Sequence, residues 1–309
     1  MIKASKKIVF LLKSKITKSN RNKNIFLAAL TSFASKFVSI LVGLITIPMT
    51  LHHLGTEKFG IWMTISSIMA FLSFSDFGIG NSLLNLVAES KSKNDIILSY
   101  KSTSSAFFLL LFFAVIILFA GSIIVYNTNW SIFFKVVNDN FEKEIKFSLF
   151  AFLIIFILNL IFSVVQKFQE GSQLGYIFST FNIIGTFLSL FLIIFCVHFK
   201  MKLQFIILSN GLGPFIALLA NLVYLIKKKI VEFKISYYYF DKEICKKLLG
   251  TGLIFIILQF FSLITNYADN IIISRVLGVS YVAKYEVVRK LFMLSFVTQF
   301  LIQPLWPAF

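Results

Sequence analysis

The chain has 309 residues, of which 58% are hydrophobic, 17% aromatic and only 14% charged, and its mean hydropathy is +0.87. Water is not the main solvent of such a chain, which excludes a soluble globular domain and predicts an all-α integral membrane protein. The net charge of +17 would suggest nucleic acid for a soluble protein, but here the lysines gather at the ends of apolar runs, where they set orientation. Nucleic acid is therefore not an expected partner, and membrane lipids are.

Residues 1–24, "MIKASKKIVFLLKSKITKSNRNKN", begin like a signal peptide, but the apolar part from Ile8 to Leu12 is cut short by Lys13. That argues against cleavage and predicts a basic cytoplasmic tail, either lying at the interface or disordered. Apolar runs long enough to span the hydrocarbon core then follow, at 25–49, 59–87, 105–125, 147–166, 176–198, 205–226, 248–273 and 281–308. They make about eight transmembrane helices. Gly211, Gly213 and Pro214 predict a break or kink in the sixth, since proline removes a backbone donor. Cys196 and Cys245 have no metal-ligand spacing and fall on opposite faces, so neither a disulfide nor a metal site is expected. His52, His53 and His198 fall at the outer face, where solvated loop histidines are the ordinary reading.

Basic residues orient the helices. The tail holds Lys3, Lys6, Lys7, Lys13, Lys15, Lys18, Arg21 and Lys23, and the 227–247 loop holds seven lysines; both belong in the cytoplasm, and 50–58, 126–146, 199–204 and 274–280 lie outside. Trp130 and Tyr126 fit an outer aromatic belt, Tyr237 to Tyr239 an inner one. A shift of 223 positions lays Leu54-Gly55 on Leu277-Gly278, Gly60 on Ala283, Trp62 on Tyr285 and Phe37 on Phe260. The first helix pair thus recurs as the seventh and eighth, related by an axis along the membrane normal, which is a two-lobed transporter plan. The expected organisation is a tail at 1–24, a six-helix N-lobe at 25–226, a basic cytoplasmic loop at 227–247 and an incomplete C-lobe of two helices at 248–309. A full second unit would need four further helices.

The stretch "TIPMTLHHLGTEKFGIWMTISSIMAFLSFSDFGIGNSLLNLVAES" resembles the opening helix pair of bacterial polysaccharide transporters. These are the O-antigen flippases of the multidrug/oligosaccharidyl-lipid/polysaccharide (MOP, MATE-like) exporter superfamily. "QKFQEGSQLGYIFSTFNIIG" and "NYADNIIISRVLGVSYVAKYEVVRKLF" resemble it too. The resemblance runs from about Asn24 to the last residue. It implies two MATE-like lobes around a cavity open alternately to each face, in the bacterial inner (plasma) membrane. It also implies a cargo of undecaprenyl-pyrophosphate-linked oligosaccharide and, as further partners, other membrane proteins of polysaccharide assembly. No cofactor is implied.

Charges inside spans are few, so each is a candidate for function. Lys36 lies about twelve residues into the first helix, about 18 Å at 1.5 Å per residue, too deep to snorkel. Glu286 precedes Arg289 by three residues and Lys290 by four, so both cations reach one carboxylate and Lys284 adds a further base. The surplus positive charge calls for an anion, and a pyrophosphate bound by Lys36, Arg289 and Lys290 fits. Asp76, Asp269 and Glu286 are expected either to couple transport to protons or to serve structure. Asp76 could pair with Arg21 or Lys23 or cap the turn at Gly78 and Gly80. Asp269 lies in a polar patch with Asn266 and Asn270. An enzyme is not expected, because no reactive His or Cys–His set lies within the membrane. The rivals to flipping are a cation-type multidrug exporter of the same superfamily, which would want acids and aromatics in its cavity, and a truncated non-functional product.

Overall fold

Lipid offers no hydrogen-bond partners, so a spanning backbone must satisfy itself within helices. A computed structural model describes residues 2–72, 76–134, 141–228 and 233–292, and among them there are nine α-helices, one 3-10 turn and no β-strand. The helices are α1 (Ile2–Leu72), α2 (Ile79–Lys93), α3 (Ile96–Asn127), α4 (Trp130–Phe134), α5 (Phe141–Gly171), α6 (Gly175–His198), α7 (Leu203–Lys228), α8 (Lys242–Val276) and α9 (Val279–Phe292); the 3-10 turn is Tyr237–Tyr239. Five candidate spans, long and apolar enough to cross a membrane, occur among the described residues: Phe26–Ser67, Ile96–Asn127, Glu142–Gly171, Gly175–His198 and Leu203–Lys227. The protein is a multi-pass membrane protein.

The interior of α3 shows which solvent the fold is built for. Its buried face is Ser99, Ser102, Thr103, Ser104, Ser105, Ala106, Leu110 and Ala114, while Phe112, Val115, Ile116, Phe119 and Ile123 point outward. Small and hydroxylated residues let helices approach closely where lipid gives no hydrophobic drive to associate. Large apolar side chains face the lipid.

Within α1 the backbone leaves helical geometry at Gly55 (φ 75, ψ 170). Residues on either side of it line one cavity, so the chain reverses there. Gly278, its repeat partner in sequence, also has positive φ (100); at both turns only glycine adopts the conformation without strain. The Gly55 turn, α4, the starts of α5 and α7 and the end of α8 meet at one end of the bundle. There Lys58 Nζ donates to Glu144 Oε2 (2.7 Å), Glu144 Oε1 accepts the Leu203 N–H (3.1 Å), and His53 Nε2 lies 2.9 Å from Met201 O. Arg275 lies 5.7 Å from the Phe133 ring centre.

Asp76, α2 and the α7–α8 connection gather at the other end. Lys101 Nζ donates to Asp241 Oδ2 (2.7 Å) while Asp241 Oδ1 caps α8 through the Glu243 and Ile244 N–H groups. The Lys101 hydrogen bond holds the Asp241 carboxyl below the usual carboxylate range.

One expectation needs correction. The second span, expected at 59–87, is not one helix: α1 ends at Leu72 and α2 starts at Ile79 after a turn at 76–78. Asp76 accepts the N–H groups of Gly78 (3.0 Å) and Gly80 (3.2 Å), and Gly78 has φ 69. Its side chain is a cap for that turn. Lys167 lies on the same side of the turn, since a Cβ on Gly80 would lie 2.7 Å from Asp76 Oδ2 and 3.2 Å from Lys167 Cγ; the Arg21 side chain is outside the described residues. From Ile2 the backbone of the basic tail is continuous helix with α1. The last expected span, 281–308, lies outside the described residues beyond Phe292.

Of the break or kink expected around Pro214, no break occurs: α7 runs on as helix through it. Proline leaves the Asn210 carbonyl without its helical donor, and Ser189 of α6 supplies one: Ser189 Oγ donates to Asn210 O at 2.9 Å. The helices can come that close because a Cβ on Gly213 would lie 2.4 Å from both Gly185 O and Ser189 Oγ. Ser189→Ala is expected to destabilise the protein by about 1–3 kcal/mol, the cost of an unsatisfied acceptor. Adding Pro214→Ala should restore most of it by returning an N–H to the helix. Thermal unfolding in detergent measures both, and an unrescued double variant would show that the serine serves something else.

Candidate functional site

Where the two arms of α1 meet α6, α7, α8 and α9 there is a cavity of about 440 Å³. The first arm contributes Ser39, Gly43 and Thr46, and the second Trp62, Ser66 and Ser67. Thr186 and Ser189 come from α6, Asn210 and Pro214 from α7, Asn270 from α8, and Glu286 and Arg289 from α9. Ser39, Gly43 and Thr46 recur at helical spacing on one face.

One hydrogen-bonded chain ties three helices at the wall. Arg289 Nη1 donates to Glu286 Oε1 at 2.6 Å; Asn270 Nδ2 donates to the same oxygen at 2.6 Å and to Ser67 Oγ at 2.7 Å. The Glu286 side chain is 3% exposed and that of Arg289 17%. A buried carboxylate needs a cation and further donors to remain charged, and both are present. Arg289 is the more open of the two and lines the cavity. Beside this chain, Tyr285 OH donates to Asp269 Oδ2.

The candidate residues separate into three groups. Glu286 and Arg289 line the cavity. Lys36 is half-buried and does not line it; it sits three residues before Ser39 and seven before Gly43, on the same helical face, toward the Asp76 end. Lys290 lies in α9 next to Arg289, and its side chain is outside the described residues. Asp269 neighbours the cavity through Tyr285 without lining it. Asp76 caps a turn at the far end of the bundle. Lys284 is exposed, 5.2 Å from the Tyr281 ring centre. Trp62, Ser39, Thr186 and Asn210 were not singled out as site residues in the sequence, although a hydroxyl or glycine on every turn of an apolar helix, as at Ser39, Gly43 and Thr46, marks a face turned away from lipid.

The helix arrangement is that of a MATE-type transporter. It matches an outward-facing multidrug resistance MATE family transporter of the MOP superfamily with a TM-score of 0.73 at 16% identity, covering 92% of this chain and 63% of that one. An inward-facing MATE structure gives 0.71 at 16% identity, over 87% and 62%. Within that fold class the sequence is more specific: the model of the polysaccharide biosynthesis protein family matches residues 25–309, and the chain belongs to that family. A Salmonella typhi protein provisionally named an O-antigen transporter is 26% identical over 295 residues, covering 91% of this chain and 63% of that protein. A Yersinia pseudotuberculosis protein provisionally named for O-antigen export is 25% identical, over 91% and 64%. The chain thus spans a little under two thirds of the length of these relatives.

Proposed function

We propose that the protein acts in export of lipid-linked oligosaccharide, moving an undecaprenyl-pyrophosphate-linked repeat unit from the inner to the outer leaflet of the bacterial plasma membrane by alternating access. The observation that carries this reading is Arg289 in the polar cavity. Its guanidinium lines the cavity beside the Glu286 carboxylate, and a diphosphate is the anion that a planar fork of donors suits. Lys36, on the cavity-facing side of α1, and Lys290, adjacent in α9, extend the positive field. The names of the O-antigen relatives support the cargo class. Asp269 and Glu286 are candidates for coupling charges, while Asp76 serves the turn.

Glu286 and Trp62 favour one rival, a cation exporter, since acid and aromatic together attract cationic cargo. Against it, Arg289 already sits on Glu286. Deleting the gene in the producing bacterium discriminates the two: loss of surface polysaccharide with lipid-linked repeat units retained on the cytoplasmic leaflet is the expected result. Unchanged polysaccharide with new sensitivity to cationic drugs would establish the rival.

The reading places the N-terminus and the Asp241 end in the cytoplasm, because the lysine bias is greatest there. Tyr126 and Tyr238 are 74% and 85% exposed at opposite ends. In a background without Cys196 and Cys245, a cysteine at 126 should react with an impermeant maleimide on intact cells and one at 238 should not. The reverse pattern inverts the topology.

A further inference from the structure

The cavity wall divides by hydrogen-bonding sense. The charged pair on α9 offers donors through Arg289. Most of the remaining polar wall offers acceptors, because the hydroxyl protons are already used along their own helices or the next one: Ser39 Oγ donates to Ser35 O (2.9 Å), Thr46 Oγ1 to Gly43 O (3.3 Å), Thr186 Oγ1 to Asn182 O (2.9 Å) and Ser189 Oγ to Asn210 O (2.9 Å). A hydroxyl has one proton and two lone pairs, so each presents only lone pairs to anything else.

Asn270 is fixed in orientation as well. Both N–H groups of its amide are engaged, by Ser67 Oγ and Glu286 Oε1, and its Oδ1 is buried and accepts no hydrogen bond among the described residues. Glu286 can only accept, so the amide cannot turn over without setting oxygen against oxygen. A buried acceptor without a donor is costly, and this one lies behind the cavity surface, where it fixes the amide and is out of a ligand's reach. The Trp62 indole, seated edge to face on Phe59 at 5.8 Å between ring centres, lines the same cavity.

A neutral, acceptor-rich wall with one large aromatic suits a ligand that is rich in O–H donors and has an apolar C–H face. A pyranose has both. The volume, about 440 Å³, lies within the roughly 300–1,000 Å³ typical of small-ligand sites.

We infer that this wall is a glycan subsite, in which Trp62 packs on a sugar of the cargo and the lone pairs of Ser39, Thr46 and Thr186 take its hydroxyl protons, while Arg289 holds the diphosphate. The inference rests on the export reading and divides its site in two: anion affinity comes from α9, and sugar selectivity from α1 and α6. Because the wall's hydroxyls are fixed by their own hydrogen bonds, they are oriented before cargo arrives.

The test compares two probes of equal charge on the full-length protein in detergent: farnesyl diphosphate esterified at its far phosphate with N-acetylglucosamine, and the same diphosphate capped with methyl. The readout is the ratio of their dissociation constants. Wild type should favour the sugar probe by about tenfold or more, the worth of one or two hydrogen bonds. Trp62→Leu, and separately the near-isosteric pair Ser39→Ala with Thr186→Val, should bring the ratio close to one. The double variant Glu286→Gln/Arg289→Gln, which leaves no buried charge unpaired, should weaken both probes and keep the ratio. Equal affinities in wild type, or a ratio unmoved in the Ser39/Thr186 variant, would overturn the subsite and leave the diphosphate reading standing. Failure of wild type to bind either probe would overturn both.

Discussion

The double variant Glu286→Gln/Arg289→Gln is expected to insert and fold normally yet to export at least about a hundredfold less than wild type, the scale of a lost charge-assisted contact. Arg289→Gln alone is a poor experiment. It leaves the Glu286 side chain, 3% exposed, as a buried charge without its cation, at about 3–5 kcal/mol, so loss of function would follow from misfolding. The double variant removes both charges and leaves an amide oxygen at 286 for Asn270 Nδ2. If Arg289 served only to balance Glu286, the double variant would export like wild type. If Arg289 holds cargo, it stays inactive at normal abundance. Surface polysaccharide against immunoblotted protein in the membrane fraction reads the difference. Lys36→Ala should likewise cut export sharply, and Lys36→Arg should keep part of it because the charge survives.

Gly60→Ala should have the largest effect on assembly. A Cβ there would lie 1.8 Å from Val279 O and 2.6 Å from Val279 C. Both are backbone atoms at the start of α9, so no side-chain rotation relieves the clash, and α9 must move off α1. Overpacking commonly costs about 1–3 kcal/mol, and a clash with fixed backbone falls at or beyond the top of that range. The expected result is a protein with a markedly lower unfolding temperature and a cavity that no longer closes at α9. Gly250→Ala is the control, since nothing lies within 4 Å of its Cβ position and alanine is the better helix former. Equal behaviour of the two variants would mean that the α1–α9 contact does not support the fold.

Solvent and segment lengths were legible from the sequence because composition and apolar run length are local properties. The Gly55 turn was legible too, since Leu-Gly between two apolar runs admits few conformations. The break at 76–78 was legible only in part: Asp76 was expected as one possible cap for a turn at Gly78 and Gly80, yet a single span was drawn through it. Its signal, Asp76 with Gly78 and Gly80, lay inside an apolar stretch that reads as one helix, and only the carboxylate's two backbone hydrogen bonds separate a cap from a buried charge. The continuous α7 was illegible for the opposite reason: Pro214 is visible locally, but Ser189, which makes good its missing donor, is 25 residues away on another helix. The site divides the same way. Arg289 and Glu286 stand out three residues apart, whereas their link to Asn270 and Ser67 depends on how three helices are placed, and Lys36 shares a face with the cavity lining without reaching it.

The inverted packing of α3 bears on how the protein responds to temperature. Soluble domains owe a heat-capacity increment of about 12–15 cal/mol/K per residue to apolar surface that unfolding brings into water. Phe112, Ile116, Phe119 and Ile123 of α3 already face outward, and separating the helices within a bilayer would expose mainly serines, threonines and alanines instead. Helix separation in lipid should therefore show a small heat-capacity change, a nearly straight dependence of stability on temperature and no weakening on cooling. Its enthalpy would come from helix contacts and from pairs such as Gln169 and Asn221, whose buried amides bond reciprocally at 2.8 and 2.9 Å.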